Sequence, residues 1–362
     1  MAKINAPQAW DITQGSSTVK VGIIDTGIDS HTDLYANLLT GWNFVNNNNN
    51  TIDTHSNPIF IGHGTHVAGI VGAVGNNGMG ISGVNWNVKL VPLKITNQDI
   101  LAPYQGGSST EVIPAITYAI NNSIPIINLS WGGLGNDSAL LSAINSYYGL
   151  FVCSAGNGAG NPPIGYDIGA IKDYPASWSS AANRIITVGA MNINDAPTTF
   201  SNFSSTFVNL FAPGENILST ANVGGVVYWD GTSMAAPFVT GVAALINANY
   251  PWLSASVIKT VILRRTTWSQ ALYGKCSTGG MLNAYQSLAQ TQMCVSQKNT
   301  CDMTYDPLPY IAACTDQCAA DGLLCGGHAV PQCSEWYFSC VSQCEIDAYA
   351  YCDDQFLNCI GT

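Results

Sequence analysis

Positive charge is scarce in this chain. Only 11 of its 362 residues are Lys or Arg, against 22 Asp or Glu, so the formal net charge is −11, and charged residues of both signs make up 9%. Nucleic-acid binding relies on Lys and Arg to neutralise phosphates, so this balance argues against that class. No apolar run reaches 18 residues, which argues against a membrane span. Met1-Ala2-Lys3-Ile4 lacks the apolar core of a cleavable signal peptide. Cysteine is nearly absent from the first 290 residues, where only Cys153 and Cys276 occur. No Cys-x-x-Cys pair exists and His328 is the only histidine after residue 290, so a zinc cluster is disfavoured. What remains is a soluble acidic protein in an extracellular or other oxidising setting, with enough apolar residues, 47%, for a sizeable core.

The other ten cysteines crowd between Cys294 and Cys359. They predict a boundary near Thr291, with a catalytic domain over 1–291 and a cysteine-rich module over 292–362 too small for a core of its own. Spacings of four (Cys314/Cys318, Cys340/Cys344) and seven (Cys294/Cys301, Cys352/Cys359) keep side chains on one helical face, so short helices stapled by disulfides are expected. Their connectivity is not deducible. Cys153, in an apolar strand, reads as a free thiol, which leaves an odd number behind.

Three Gly-rich segments carry the chemistry: Val21-Gly22-Ile23-Ile24-Asp25-Thr26-Gly27, Gly62-His63-Gly64-Thr65-His66 and Gly231-Thr232-Ser233-Met234-Ala235. They supply Asp25, His63 and Ser233 in that order. An activated hydroxyl, a base for its proton and a carboxylate to orient the base are what a nucleophilic hydrolase needs. Val19 to Ile24 reads as a buried parallel strand with Asp25 at its carboxyl end, where open α/β sheets hold functional groups. Small residues after His63 and Ser233 predict tightly packed helices. Phe151 to Asn157 is an apolar strand ending in Ala-Gly-Asn, and an Asn there suits an oxyanion donor beside the Ser233 backbone N–H. His66 is expected to be a packed neighbour, not a second base.

On these motifs, in this order, the chain resembles the subtilisin-like serine proteases over about residues 4 to 290. The resemblance implies an α/β fold, a mostly parallel sheet with helices on both faces, followed by the disulfide-rich helical tail. It implies an endopeptidase that forms an acyl-enzyme on Ser233. It further implies that Leu129-Ser130-Trp131-Gly132 pairs with an extended peptide and, with Ala155-Gly156-Asn157, walls the first specificity pocket. Asp173, before Tyr174-Pro175, falls at the base of that pocket, where a carboxylate would select Lys or Arg; the alternative is pairing with Lys172, Arg184 or solvent. Structural calcium is expected at Asp33, Asn77 and the carbonyls of Val74, Met79 and Ile81, against the plainer reading of an Asn-Gly turn. The family's precursors carry an inhibitory pro-segment. Nothing resembling one precedes Ile4, so a mature or trimmed form is expected. A transpeptidase or cyclase on the same scaffold and a catalytically silent peptide-binding protein are the alternatives.

Overall fold

The computed structural model describes residues 1–53, 62–96, 108–133, 135–180, 183–222, 224–304, 353–354 and 356–361. Two compact units divide between Ala289 and Gln290. The first opens with α1 (Ala6–Trp10) and β1 (Gly15–Asp25), followed by β2 (Trp42–Asn43), α2 (His63–Gly72) and β3 (Asn87–Lys94). Next come α3 (Ser109–Asn121), β4 (Ile126–Leu129), α4 (Ser138–Ser146), β5 (Leu150–Ser154), β6 (Ile185–Met191) and β7 (Leu210–Pro213). A hairpin of β8 (Ile217–Thr220) and β9 (Val226–Trp229) leads into α5 (Thr232–Asn249), then α6 (Ala255–Arg264), β10 (Thr267–Trp268) and β11 (Gly280–Met281). A last helix, α7 (Ala284–Thr304), contains the division between the units and the expected boundary at Thr291.

Among the described residues one sheet has nine strands in the order β10-β11-β7-β6-β5-β4-β1-β3-β2, parallel throughout except for β10 with β11. β1 is interior: Val21 to Ile24 pair with Ile126 to Leu129 on one side, and Lys20 to Asp25 with Lys89 to Lys94 on the other. The chain therefore reverses its direction of growth at β1, and such a reversal opens a crevice beyond the strands' carboxyl ends. Buried on both faces, β1 and β4 read as near-continuous apolar runs. One core layer joins Ile24, Leu129, Phe151 and Cys153 to Val112 and Ile116 of α3 and Ile144 of α4. On the sheet's other contacts, α5 packs against β1 and β4 to β7. Every residue of α5 from Thr232 to Asn247 is buried, as a helix apolar all round must be.

β1 begins four residues before the expected Val19. Gly15 pairs with Asn87 beyond a register irregularity, and the intervening Ser16, Ser17 and Thr18 carry no apolar signal. In the second unit, a disulfide joins Cys294 to Cys359 across 65 residues. Cys153 is free and buried, as expected of a thiol in an apolar strand, and Cys276 is also free and buried. The short helices expected between Cys314 and Cys344, His55 and His328 lie outside the described residues.

Candidate active site

The three motif residues stand at the ends of elements that pack together. Asp25 ends β1, His63 is the first residue of α2, and Ser233 stands in the first turn of α5, which packs on both α2 and β1. Gly62, ahead of His63, has φ 104°, a conformation that glycine adopts without steric cost. Gly64 is forced by space: a Cβ there would lie 2.1 Å from the carbonyl oxygen of Gly27. That close approach seats α2 against the turn after β1.

Asp25 and His63 are 1% and 2% exposed, and Nδ1 of His63 donates to Oδ1 of Asp25 at 2.8 Å. The same oxygen accepts from the backbone N–H of Thr26 at 2.8 Å and from its hydroxyl at 3.2 Å. The acceptor held this way fixes the imidazole tautomer, with Nε2 as its basic atom. Behind Asp25, Lys94 donates to the carbonyl of Thr26. Nearby, Asp53 accepts from the N–H and hydroxyl of Thr65 at 2.9 and 2.8 Å. Burial pushes the Asp53 carboxyl up and the Lys94 ammonium down, each opposing its charge.

Ser233 and Ser130 are tied reciprocally: the Ser233 hydroxyl donates to the carbonyl of Ser130 at 3.3 Å, and the Ser130 hydroxyl to the carbonyl of Ser233 at 2.9 Å. Asn128 donates to Ser130 Oγ at 2.9 Å and accepts from the Thr240 hydroxyl at 2.8 Å, so a buried polar row anchors α5 to the end of β4. Asn157 is oriented by Thr232, whose N–H and hydroxyl both donate to Oδ1 at 2.8 Å. That leaves Nδ2 as the donor end of the amide, on the side of Gly231.

The expected pocket walls also converge. Gly133 and Tyr174 exchange backbone hydrogen bonds at 2.8 and 2.7 Å, which ties the Asp173 segment to the stretch Ser130 to Gly132 that follows β4. A Cβ on Gly132 would lie 3.3 Å from Asp173 Oδ1, and one on Gly156 would lie 2.6 Å from Oδ2. Leu129 and Ala155 are buried beneath, and Trp131 is half-buried against the core. Asp173 is 8% exposed; Tyr166 and Asn202 donate to Oδ2 at 3.3 and 3.4 Å, while Oδ1 has no donor among the described residues. Burial pushes its pKa up to about 6. Lys172 lies over the Phe207 ring and bonds Gly169, and Arg184 bonds the carbonyls of Asn145 and Tyr147, so neither neutralises Asp173. The sequence assigned Tyr166 and Asn202 no place beside Asp173, and Thr232, although inside the serine motif, no role in orienting Asn157.

Asp33, Asn77, Val74 and Ile81, expected to hold calcium, are tied to one another. Asp33 spends one carboxylate oxygen on the Asn77 amide at 2.6 Å and the other on the Ile81 N–H at 2.8 Å. Asn77 Oδ1 accepts from the Met79 N–H at 3.1 Å, and the N–H of Val74 bonds the Asp33 carbonyl at 2.9 Å. The side-chain oxygens of Asp33 and Asn77 thus accept from N–H donors of the same loop. Among the described residues no cluster of metal-ligating side chains occurs.

The family profile described as Subtilase family, Peptidase_S8, matches residues 16–292. Thermitase of Thermoactinomyces vulgaris is 36% identical over 289 residues, covering 79% of this chain and 94% of thermitase. Subtilisin DY of Bacillus licheniformis is 36% identical over 272 residues, covering 74% and 89% respectively. A solved protease of Pseudoalteromonas arctica superposes with a TM-score of 0.67 at 29% identity, over 79% of this chain and 93% of that one. The chain belongs to the subtilase family of serine endopeptidases.

Proposed function

We propose that this protein hydrolyses peptide bonds outside the cell through an acyl-enzyme on Ser233. The observation that carries the reading is the buried Asp25–His63 hydrogen bond at 2.8 Å beside the first turn of α5. The Ser233 hydroxyl leaves the Ser130 carbonyl, gives its proton to His63 Nε2 and attacks the substrate carbonyl. The resulting oxyanion takes hydrogen bonds from Asn157 Nδ2 and the Ser233 N–H. His63 returns the proton to the departing amine, and water, deprotonated the same way, releases the acid and restores the hydroxyl. Asp25 keeps the imidazole oriented throughout.

The substrate lies extended along Ser130 to Gly132, and Asp173 gives a preference for Lys or Arg before the scissile bond. The unmatched Oδ1 of a buried carboxylate supports this, because an ammonium or guanidinium would supply both donor and countercharge. A disulfide within the second unit and the acidic composition support an oxidising, extracellular setting. A fluorophosphonate probe tests the mechanism: wild type is labelled on Ser233 and cleaves peptides, and Ser233→Ala does neither. Labelling that survives Ser233→Ala, or cleavage without it, would overturn the assignment.

A further inference from the structure

His63 and His66 stand three residues apart on α2, and one indole lies against both. The ring of Trp229, the last residue of β9, stacks on His66 with centroids 4.9 Å apart and planes 16° from parallel. It stacks on His63 at 5.9 Å and 28°. His66 is fully buried, with Nε2 3.1 Å from the carbonyl oxygens of both Ile217 and Val227, one on each strand of the β8–β9 hairpin. Two acceptors facing one nitrogen require that nitrogen to carry the proton. Burial lowers the His66 pKa to about 4, so the ring is a neutral donor at pH 7. The hairpin gains two more ties to α2: Ser219 Oγ donates to the His66 carbonyl at 2.7 Å and Thr220 Oγ1 to the Thr65 carbonyl at 2.8 Å. Ile217 pairs directly with Trp229, so the strand that His66 holds is the one that sets the indole.

We propose that Trp229 is a positioning residue for the reaction: pinned through His66, its ring face fixes the plane of the His63 imidazole and favours the imidazolium that forms when Ser233 loses its proton. An aromatic face is the negative pole of a quadrupole, so it attracts the charged ring more than the neutral one. The assignment of a proton from Ser233 rests on the protease reading; the stacking does not.

Among the described residues, few other charged or titratable groups lie about His63. Asp25 on β1 accepts from Nδ1, with Asp53 and Lys94 behind it. His66 is on the same helix. Asp230, next to Trp229, is exposed and accepts from the Asn216 N–H at 2.6 Å. The first turn of α5 contributes Thr232, Ser233 and Met234, none of them charged.

Three substitutions in the full chain test the proposal: Trp229→Leu and Trp229→Met remove the ring, and Trp229→Phe keeps a smaller face. The readouts are the titration of the His63 ring by NMR, assigned by its loss in His63→Ala, and kcat and KM on a chromogenic peptide amide. Without the ring, the His63 midpoint falls by about half a pH unit and kcat drops about threefold at unchanged KM. Trp229→Phe restores most of both. An unmoved midpoint in a ringless variant that keeps the wild-type circular dichroism overturns the proposal. So does a rise in KM with kcat intact, which would make Trp229 only a wall for substrate. If wild type cleaves no peptide, the protease reading fails, while the NMR titration still decides whether the indole favours the charged ring.

Discussion

At the scale of single residues, the proposed role of Asp173 makes it the position where pH and selectivity would meet. Its folded pKa of about 6 lies above the ordinary carboxylate value, so the group is neutral below that pH and charged above it. Preference for Lys or Arg over an uncharged residue of similar length should therefore fall as pH drops through about 6, measured as a ratio of kcat/KM values on paired peptides. A ratio that stays flat from pH 8 to 5, or that survives Asp173→Ser, would remove Asp173 from the pocket. For stability the sign is opposite to that of a paired carboxylate. Between its unfolded pKa near 4 and about 6 the folded state binds more protons than the unfolded chain, so Asp173 costs stability as pH rises through that window. At Asn157, replacement by Ala should lower kcat by about 10²–10³, the range known for losing one oxyanion donor in a subtilisin. Thr232→Val keeps the backbone N–H but removes the hydroxyl that holds Oδ1, and should cost only about tenfold. Equal losses would mean the side chain of Thr232 does more than orient the amide. The pairing of Asp25 with His63 was legible because each sits in a motif that names its neighbours. The role of Asn77 was not, since residue type alone does not say which end of an amide faces Asp33.

At the scale of elements, the strands were legible where burial on both faces made them apolar, as in Ile23 to Asp25 and Phe151 to Ser154. They were illegible where polar residues continue the ladder, as at Ser16 to Thr18. The β8–β9 hairpin escaped sequence reading for a related reason. Val226 and Tyr228 face outward and its two strands have four residues each, so no long period marks it. Yet this hairpin holds the indole against α2. The junction between α2 and β1 is less tolerant than either element alone. Gly64→Ala would drive a methyl group to 2.1 Å from the Gly27 carbonyl and 3.1 Å from the Cβ of Asp25. It should cost roughly 1–3 kcal/mol of stability in denaturant titration and lower kcat at the same time, since His63 is adjacent. A variant with wild-type stability and activity would show that the seat between the two elements is softer than its geometry.

At the scale of the whole molecule, the two units differ in what cross-links them. The disulfide described, between Cys294 and Cys359, lies in the second unit, whereas the first keeps two buried thiols, and burial pushes the Cys153 pKa up to about 12. Closing a loop of 65 residues restricts an unfolded chain by about 4 kcal/mol in the chain-entropy treatment. Mild reduction under native conditions should therefore leave kcat/KM on a short peptide within about twofold, with iodoacetamide reaching cysteines of the second unit and sparing Cys153 and Cys276 by mass spectrometry. Loss of short-peptide cleavage on reduction would show that the first unit depends on the second's cross-links.

The interior place of β1 also bears on synthesis. The strand bearing Asp25 is made before its partners on either side, β3 and β4, which follow only at Asn87 and Ile126, and α5 begins at Thr232. Ordering such distant segments is slow. A nascent chain that stops short of Thr232 carries Asp25 and His63 without Ser233, so under the proposed mechanism it cannot yet cleave peptides.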